Sequence, residues 1–224
     1  MDKTDPALGA QVRQHLVKVG LETPMNYTDV QLDSQHKINQ IEHHFAKIMQ
    51  TLGLDLQDDS LCDTPKRVAK MYVKEIFYGL NYDNFPKCTR IQNKMGINNS
   101  FVLERNINVQ TNCEHHFVVI DGKATVAYIP RDTILGLSKL NRIVEFFAKR
   151  PQVQERLTEQ IAEAISFITG SPDVAVYVVG VHYCVKSRGI QDTGSSTMTL
   201  ATRGAFSEEK SEIRREFLNT ARMM

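Results

Sequence analysis

Apolar positions fall first at helical spacing and then, from about residue 100, in short β-rich runs. Leu8, Val12, Leu16 and Val19 recur every three or four residues across 5–19, which predicts a helix stopped by Gly20. The polar stretch from Glu22 to Leu32, with Thr23-Pro24 and no periodicity, reads as a linker or extended arm. From Ser34 to Leu52 an apolar stripe of Ile38, Ile41, Phe45, Ile48, Met49 and Leu52 marks a second helix, with His43 and His44 as ordinary helix residues. A third starts with Thr64 as N-cap and Pro65 in first position and can end at Gly79. Turn-rich residues 81–87 then lead out of this helical part.

Beyond it, 101–109 and 117–120 read as strands, and Asp121-Gly122 as a hairpin turn into a strand at 123–129. Helices follow at 137–149 and 152–168, divided by Pro151 and closed by Gly170. Strands at 174–185 and 195–202 and a helix at 208–222 complete the chain. The order strand-strand-helix-helix-strand-strand predicts an α+β fold, an antiparallel sheet with a helix pair on one face. An N-terminal helical region (1–95) precedes this domain (96–224). The sheet's other face and edges need cover, which points to neighbouring subunits and a homo-oligomer.

At 224 residues and 42% apolar content the chain can build a substantial core. Twenty-seven basic against 26 acidic residues give a net charge near +1, so no global field favours nucleic acid or membrane partners. Cys62, Cys88, Cys113 and Cys184 are too few and too unevenly spaced for a secreted disulfide framework. The N-terminus has no apolar leader pattern and the chain no long apolar run, so the expected compartment is the cytoplasm.

Chemistry concentrates at N-C-E-H-H-F-V, residues 112–118, where Cys113, Glu114, His115 and His116 are consecutive at the expected start of a strand. Downstream, V-H-Y-C-V places His182 and Cys184 two apart, on one face if both lie in a strand. Two thiols and an imidazole suit Zn²⁺, and three protein ligands leave a fourth position for catalysis. Spacing alone leaves His115, His116 and His182 as alternative ligands, and buried cysteines also serve as small apolar residues. Lys66, Arg67 and Lys70 form either a solvated helix face or an anion site. Lys139 and Arg142 share a helix face beside Ser138, and Arg188 follows Cys184; they match phosphate partners or an ordinary charged surface. Glu155, after Gln154, can accept from a heterocycle or complement a helix dipole.

Five motifs in order, T-P-K-R-V-A-K-M-Y (64–72), N-C-E-H-H-F (112–117), G-L-S-K-L-N-R-I-V-E (136–145), R-P-Q-V-Q-E-R-L-T (150–158) and H-Y-C-V-K-S-R-G (182–189), closely resemble those of GTP cyclohydrolase I. The resemblance implies a zinc enzyme of the tunnelling fold, with 96–224 as the catalytic domain. It also implies a decamer of two stacked pentamers with sites at subunit boundaries. The implied reaction turns GTP and water into 7,8-dihydroneopterin triphosphate and formate, the entry to folate and pterins. On this likeness Cys113, His116 and Cys184 hold one zinc per subunit, and His115 and His182 transfer protons. Gln154 and Glu155 read guanine, while Arg67, Ser138, Lys139, Arg142 and Arg188 grip ribose and triphosphate. A zinc nucleobase deaminase would carry H-x-E with a later P-C-x-x-C, which this chain lacks. A nucleotide-binding module with a closed structural zinc would need a fourth ligand.

Overall fold

The computed structural model describes residues 3–26, 32–98, 100–209 and 211–223; part of the expected arm, 27–31, lies outside them. Helix α1 (Pro6–Lys18) begins where Asp5 accepts the Leu8 amide at 3.0 Å, and α2 (Ser34–Thr51) where Asp33 accepts that of His36 at 2.8 Å. Helix α3 (Thr64–Met71) widens into a π-turn at Tyr72–Ile76, so the third helix is regular over only its first half. Gly79 then permits close packing against the later helix: a Cβ there would lie 2.2 Å from the Phe146 carbonyl oxygen.

Two short strands absent from the sequence reading, β1 (Arg90–Gln92) and β4 (Thr133–Leu135), pair antiparallel as a small ribbon. The main sheet contains β2 (Val102–Cys113), β3 (Val119–Tyr128), β5 (Pro151–Gln152), β6 (Val174–His182) and β7 (Thr197–Thr202), in the order β5-β2-β3-β6-β7. All its pairings are antiparallel except β5, which runs parallel to the end of β2. Asp121-Gly122 is therefore not a turn but lies inside β3. Gly122 faces Gly180 of β6, and its missing side chain admits the neighbouring backbone, since a Cβ would stand 2.2 Å from the Val179 oxygen.

Helices α4 (Leu137–Ala148) and α5 (Gln154–Thr169) cover one face, packing Leu140, Ile143, Val144, Phe147, Leu157, Ile161 and Ile165 against Val109, Val126, Val176 and Val178. Val12, Leu16 and Phe85 belong to the same core, so it continues across residue 95. Alternate residues of β6, Ala175 and Tyr177, point the other way and meet Phe206, Phe217 and Ala221 beside and on the final helix α7 (Glu212–Ala221). Part of the second sheet face is thus covered from within the chain. Burial on both sides explains why β6 reads as a near-continuous apolar run.

A fully buried cation ties the N-terminal part to the sheet. The Arg150 guanidinium donates to Glu22 Oε1 and Thr23 Oγ1, both at 3.3 Å, and to the Gly79 carbonyl. Its Cζ lies 4.9–5.1 Å from the ring centroids of Tyr82, Phe146 and Phe147. Tyr82 donates to Glu22, and burial raises its phenol well above the ordinary range. Arg150→Ala should leave the Glu22 carboxylate buried with the Tyr82 hydroxyl but no cation beside it, lowering unfolding free energy by about 3–5 kcal/mol. An unchanged urea midpoint would contradict that role.

Candidate active site

The N-C-E-H-H-F-V run is the turn of the β2–β3 hairpin rather than a strand start. β2 continues to Cys113, whose amide donates to the Val118 oxygen at 2.8 Å and whose carbonyl accepts from Phe117 at 2.8 Å and His116 at 3.4 Å. Phe117 takes a φ of +54°, in the left-handed region, and its carbonyl accepts from Asn112 Nδ2 at 3.2 Å. This tight reversal turns Cys113 and His116 toward each other, with Cys113 Sγ 3.8 Å from His116 Nδ1.

The partner thiol comes from the far side of β3. Ile120 pairs with His182, so β6 ends beside this turn. His182 and Cys184 were expected on one strand face, but the strand stops at His182 and Cys184 sits on a single helical turn, α6 (Tyr183–Lys186). The physical reason is loss of a ladder: β7 pairs with β6 only as far as Gly180, and the freed backbone closes on itself through Ser187 N to Tyr183 O at 2.9 Å. The result sends the two side chains to different tasks.

Cys113, His116 and Cys184 place one donor atom each within 4.8 Å of one another. Cys113 is buried, Cys184 half-buried and His116 exposed. Two sulfurs and an imidazole nitrogen form a donor set of the softness zinc prefers. Burial, then the adjacent Cys113 sulfur, pushes the Cys184 thiol above its usual value. Among the described residues this is the one such cluster, with three members. His115 Nδ1 lies 3.7 Å from Cys113 Sγ but falls outside it.

His182 instead meets Gln154, whose Oε1 is 2.8 Å from its Nε2. The Gln154 amide nitrogen is occupied by the Val178 and Thr197 carbonyls at 3.2 and 3.0 Å, so Oε1 must be the acceptor and His182 Nε2 the donor. Burial lowers the His182 pKa, against the charge of Glu155, and keeps the ring neutral near pH 7. Gln154 is itself buried, turned into the sheet beneath His182, while Glu155 is exposed.

The cations divide into groups. Arg188 is exposed and close enough to Cys184 to lower its pKa by charge. Lys139 and Arg142 similarly act on Cys88, although burial dominates and holds that thiol up at about 12. They lie toward the N-terminal end of α4, where Ser138 is exposed and no side chain caps the helix. Arg150 and β5, which adjoin Cys113, follow the other end of α4, and about 9–15 Å of helix lies between these three residues and that end. Arg67 is exposed on α3, paired with Asp63 at 3.5 Å. One chain therefore gathers the three donors, His115, His182, Gln154, Glu155 and Arg188, while the Ser138 group stands on α4 beside Cys88.

The family model described as GTP cyclohydrolase I matches residues 41–222. The GTP cyclohydrolase 1 of Tolumonas auensis is 56% identical over 210 residues, covering 94% of this chain and 95% of that protein. Those of Yersinia enterocolitica and Enterobacter sp. are each 54% identical, covering 94% and 95% of both chains respectively. The chain belongs to the GTP cyclohydrolase I family.

In this GTP cyclohydrolase I chain, the turn that carries Cys113 and His116 has supports far away in sequence. Glu114 pairs with Arg156, and the Phe117 ring packs 5.3 Å from that of Phe77 and 6.2 Å from that of Tyr72. Neither carries a local signal: Arg156 lies inside the expected helix at 152–168, far along the chain from Glu114, and the aromatic partners precede Phe117 by 40 residues or more. Gly180 belongs to the same machinery, because a Cβ there would lie 2.7 Å from Gln154 Oε1. Gly180→Ala should push that flexible carboxamide off His182 while the fold persists. Imidazole ¹⁵N spectra should change from one Nε2-protonated form to averaged tautomers; an unaltered His182 signal would refute the arrangement.

Proposed function

We infer that this chain converts GTP and water into 7,8-dihydroneopterin triphosphate and formate, using a zinc ion held by Cys113, His116 and Cys184. The observation that carries this reading is the meeting of those donors from two separate parts of the sheet, in a chain of this family. Zinc bound there supplies a water acidified from about 15.7 toward 7, able to add at C8 of the purine. His182, its Nε2–H committed to Gln154, takes at Nδ1 the proton released as water adds and passes it to the N7 side; burial makes the transient imidazolium the stronger acid. His115, exposed on the metal turn, carries protons through ring opening, loss of formate, sugar rearrangement and closure of the six-membered ring. Glu155 accepts from the guanine N–H edge, with Gln154 acting on the same base through His182.

Ser138, Lys139 and Arg142, at the uncapped start of α4, with Arg188 and Arg67, hold ribose and triphosphate. The length of α4 between the Ser138 group and the metal turn supports a site shared between copies, one contributing its metal turn and another its α4 N-terminus. The β2–β3–β6–β7 sheet with its helix pair is compatible with the tunnelling fold, in which neighbouring sheets continue one another, and with a decamer of two pentamers. We assign residues 96–224 to catalysis, with 1–95 supporting it, and the protein to the cytoplasm.

Incubation of the zinc-loaded protein with GTP should release formate and yield a fluorescent pterin after oxidation. Ammonia would indicate deamination, and binding without product would leave only a nucleotide-binding module. Cys184→Ser should lose both zinc and formate release; normal metal content would remove it from the ligand set. His115→Ala should keep its zinc while turnover falls by about 10²–10⁴-fold, and an unimpaired rate would exclude it from proton transfer.

A further inference from the structure

We propose that Glu114 and Arg156 form a strut that positions the metal-binding turn and sets how tightly it retains its ion. This rests on the zinc site inferred above. Glu114 stands between the ligand Cys113 and the proton carrier His115, yet it is outside the donor cluster. Its backbone amide donates to the Gln152 carbonyl at 3.0 Å, and its carboxylate accepts from the Arg156 guanidinium. Arg156 Nε is 3.4 Å from Gln152 Oε1.

Gln152 is fully buried and anchors this assembly in the core. Its Nε2 donates to the Phe147 carbonyl at 2.9 Å and to Gln160 Oε1 at 2.7 Å. Gln160, also buried, donates to the Leu21 carbonyl at 2.7 Å. The strut therefore runs from the metal turn through α5 to the segment following α1. On the other side Asn112 holds the Phe117 carbonyl, and the Phe117 ring leans on Tyr72 and Phe77.

A turn with a positive-φ phenylalanine has conformational alternatives that would separate Cys113 from His116. Clamping both flanks removes those alternatives before an ion arrives. The Glu114 and Arg156 side chains are 28% and 16% exposed, so solvent screens the pair only in part and it can hold the turn in place. Its effect should appear locally, in metal retention, where outer groups that orient ligands typically change affinity by about 10–100-fold.

The test compares Glu114→Gln, Arg156→Met, Arg156→Lys and the Glu114→Gln/Arg156→Met double variant in the full-length assembled protein. Zinc affinity is measured by competition with a chromophoric chelator, and zinc release by transfer to excess chelator. Each of the first two should weaken affinity about tenfold or more and speed release. The double variant should be no worse than the worse single one, because both remove one interaction. Arg156→Lys should recover part of the loss. Wild-type zinc affinity in both Glu114→Gln and Arg156→Met would overturn the strut, whatever their turnover; so would full additivity in the double variant. Failure of the unaltered protein to bind zinc would instead overturn the metal site itself.

Discussion

The structure depends on the register of β3 between β2 and β6. Asn112 opposite Val119 brings β2 to its end at the turn, and Ile120 opposite His182 brings β6 to its end at the same level. A slip of one residue would send every side chain to the opposite sheet face. It would also carry the second thiol away from the first. The Gly122–Gly180 pairing serves this register twice: one glycine admits the neighbouring backbone, and the other leaves room for the Gln154 carboxamide to reach His182.

Behind that end of the sheet lies an unusually polar interior. Arg150, Gln152, Gln154 and Gln160 are all essentially buried; Arg150, Gln154 and Gln160 bond to segments distant in sequence, and Gln152 joins the end of α4 to α5. Thr111 donates to the Arg150 carbonyl at 3.0 Å, joining this layer to the last residues of β2. Apolar packing holds α4 and α5 on the sheet but is non-directional. The polar layer supplies direction: it fixes the segment after α1, the start of α5 and the metal turn relative to one another. Burial of so many polar groups is tolerable because nearly all find partners.

Periodicity and turn chemistry made much of the fold legible. The paired helices, the apolar β6 and the Gly170 stop follow from spacing and from the left-handed φ of +69° that a glycine accepts at a helix end. The hairpin was misplaced because Asp121-Gly122 carries a strong local turn signal, whereas the actual reversal at 114–117 uses residues of weak turn preference. Tertiary contacts override propensity there. His182 and Cys184 do not share a strand face because β6 ends at His182, just beyond the end of the β7 ladder at Gly180. Family likeness implies His116 as ligand where spacing leaves three histidines open, and His116 is the histidine whose ring nitrogen lies within 4.8 Å of both sulfurs. Neither could reveal that Gln154 is turned into the sheet, since that depends on Val178, Thr197 and His182 converging from three directions.

The central claim is a cation held by two sulfurs and one imidazole, with one coordination position left to a small oxygen donor. X-ray absorption at the zinc edge, on protein reconstituted with one zinc per chain, addresses it most directly. The account expects two sulfur scatterers near about 2.3 Å and two lighter ones near about 2.0–2.1 Å, only one of them with the multiple-scattering pattern of imidazole. Fewer than two sulfurs, or a second imidazole completing the shell, would contradict it.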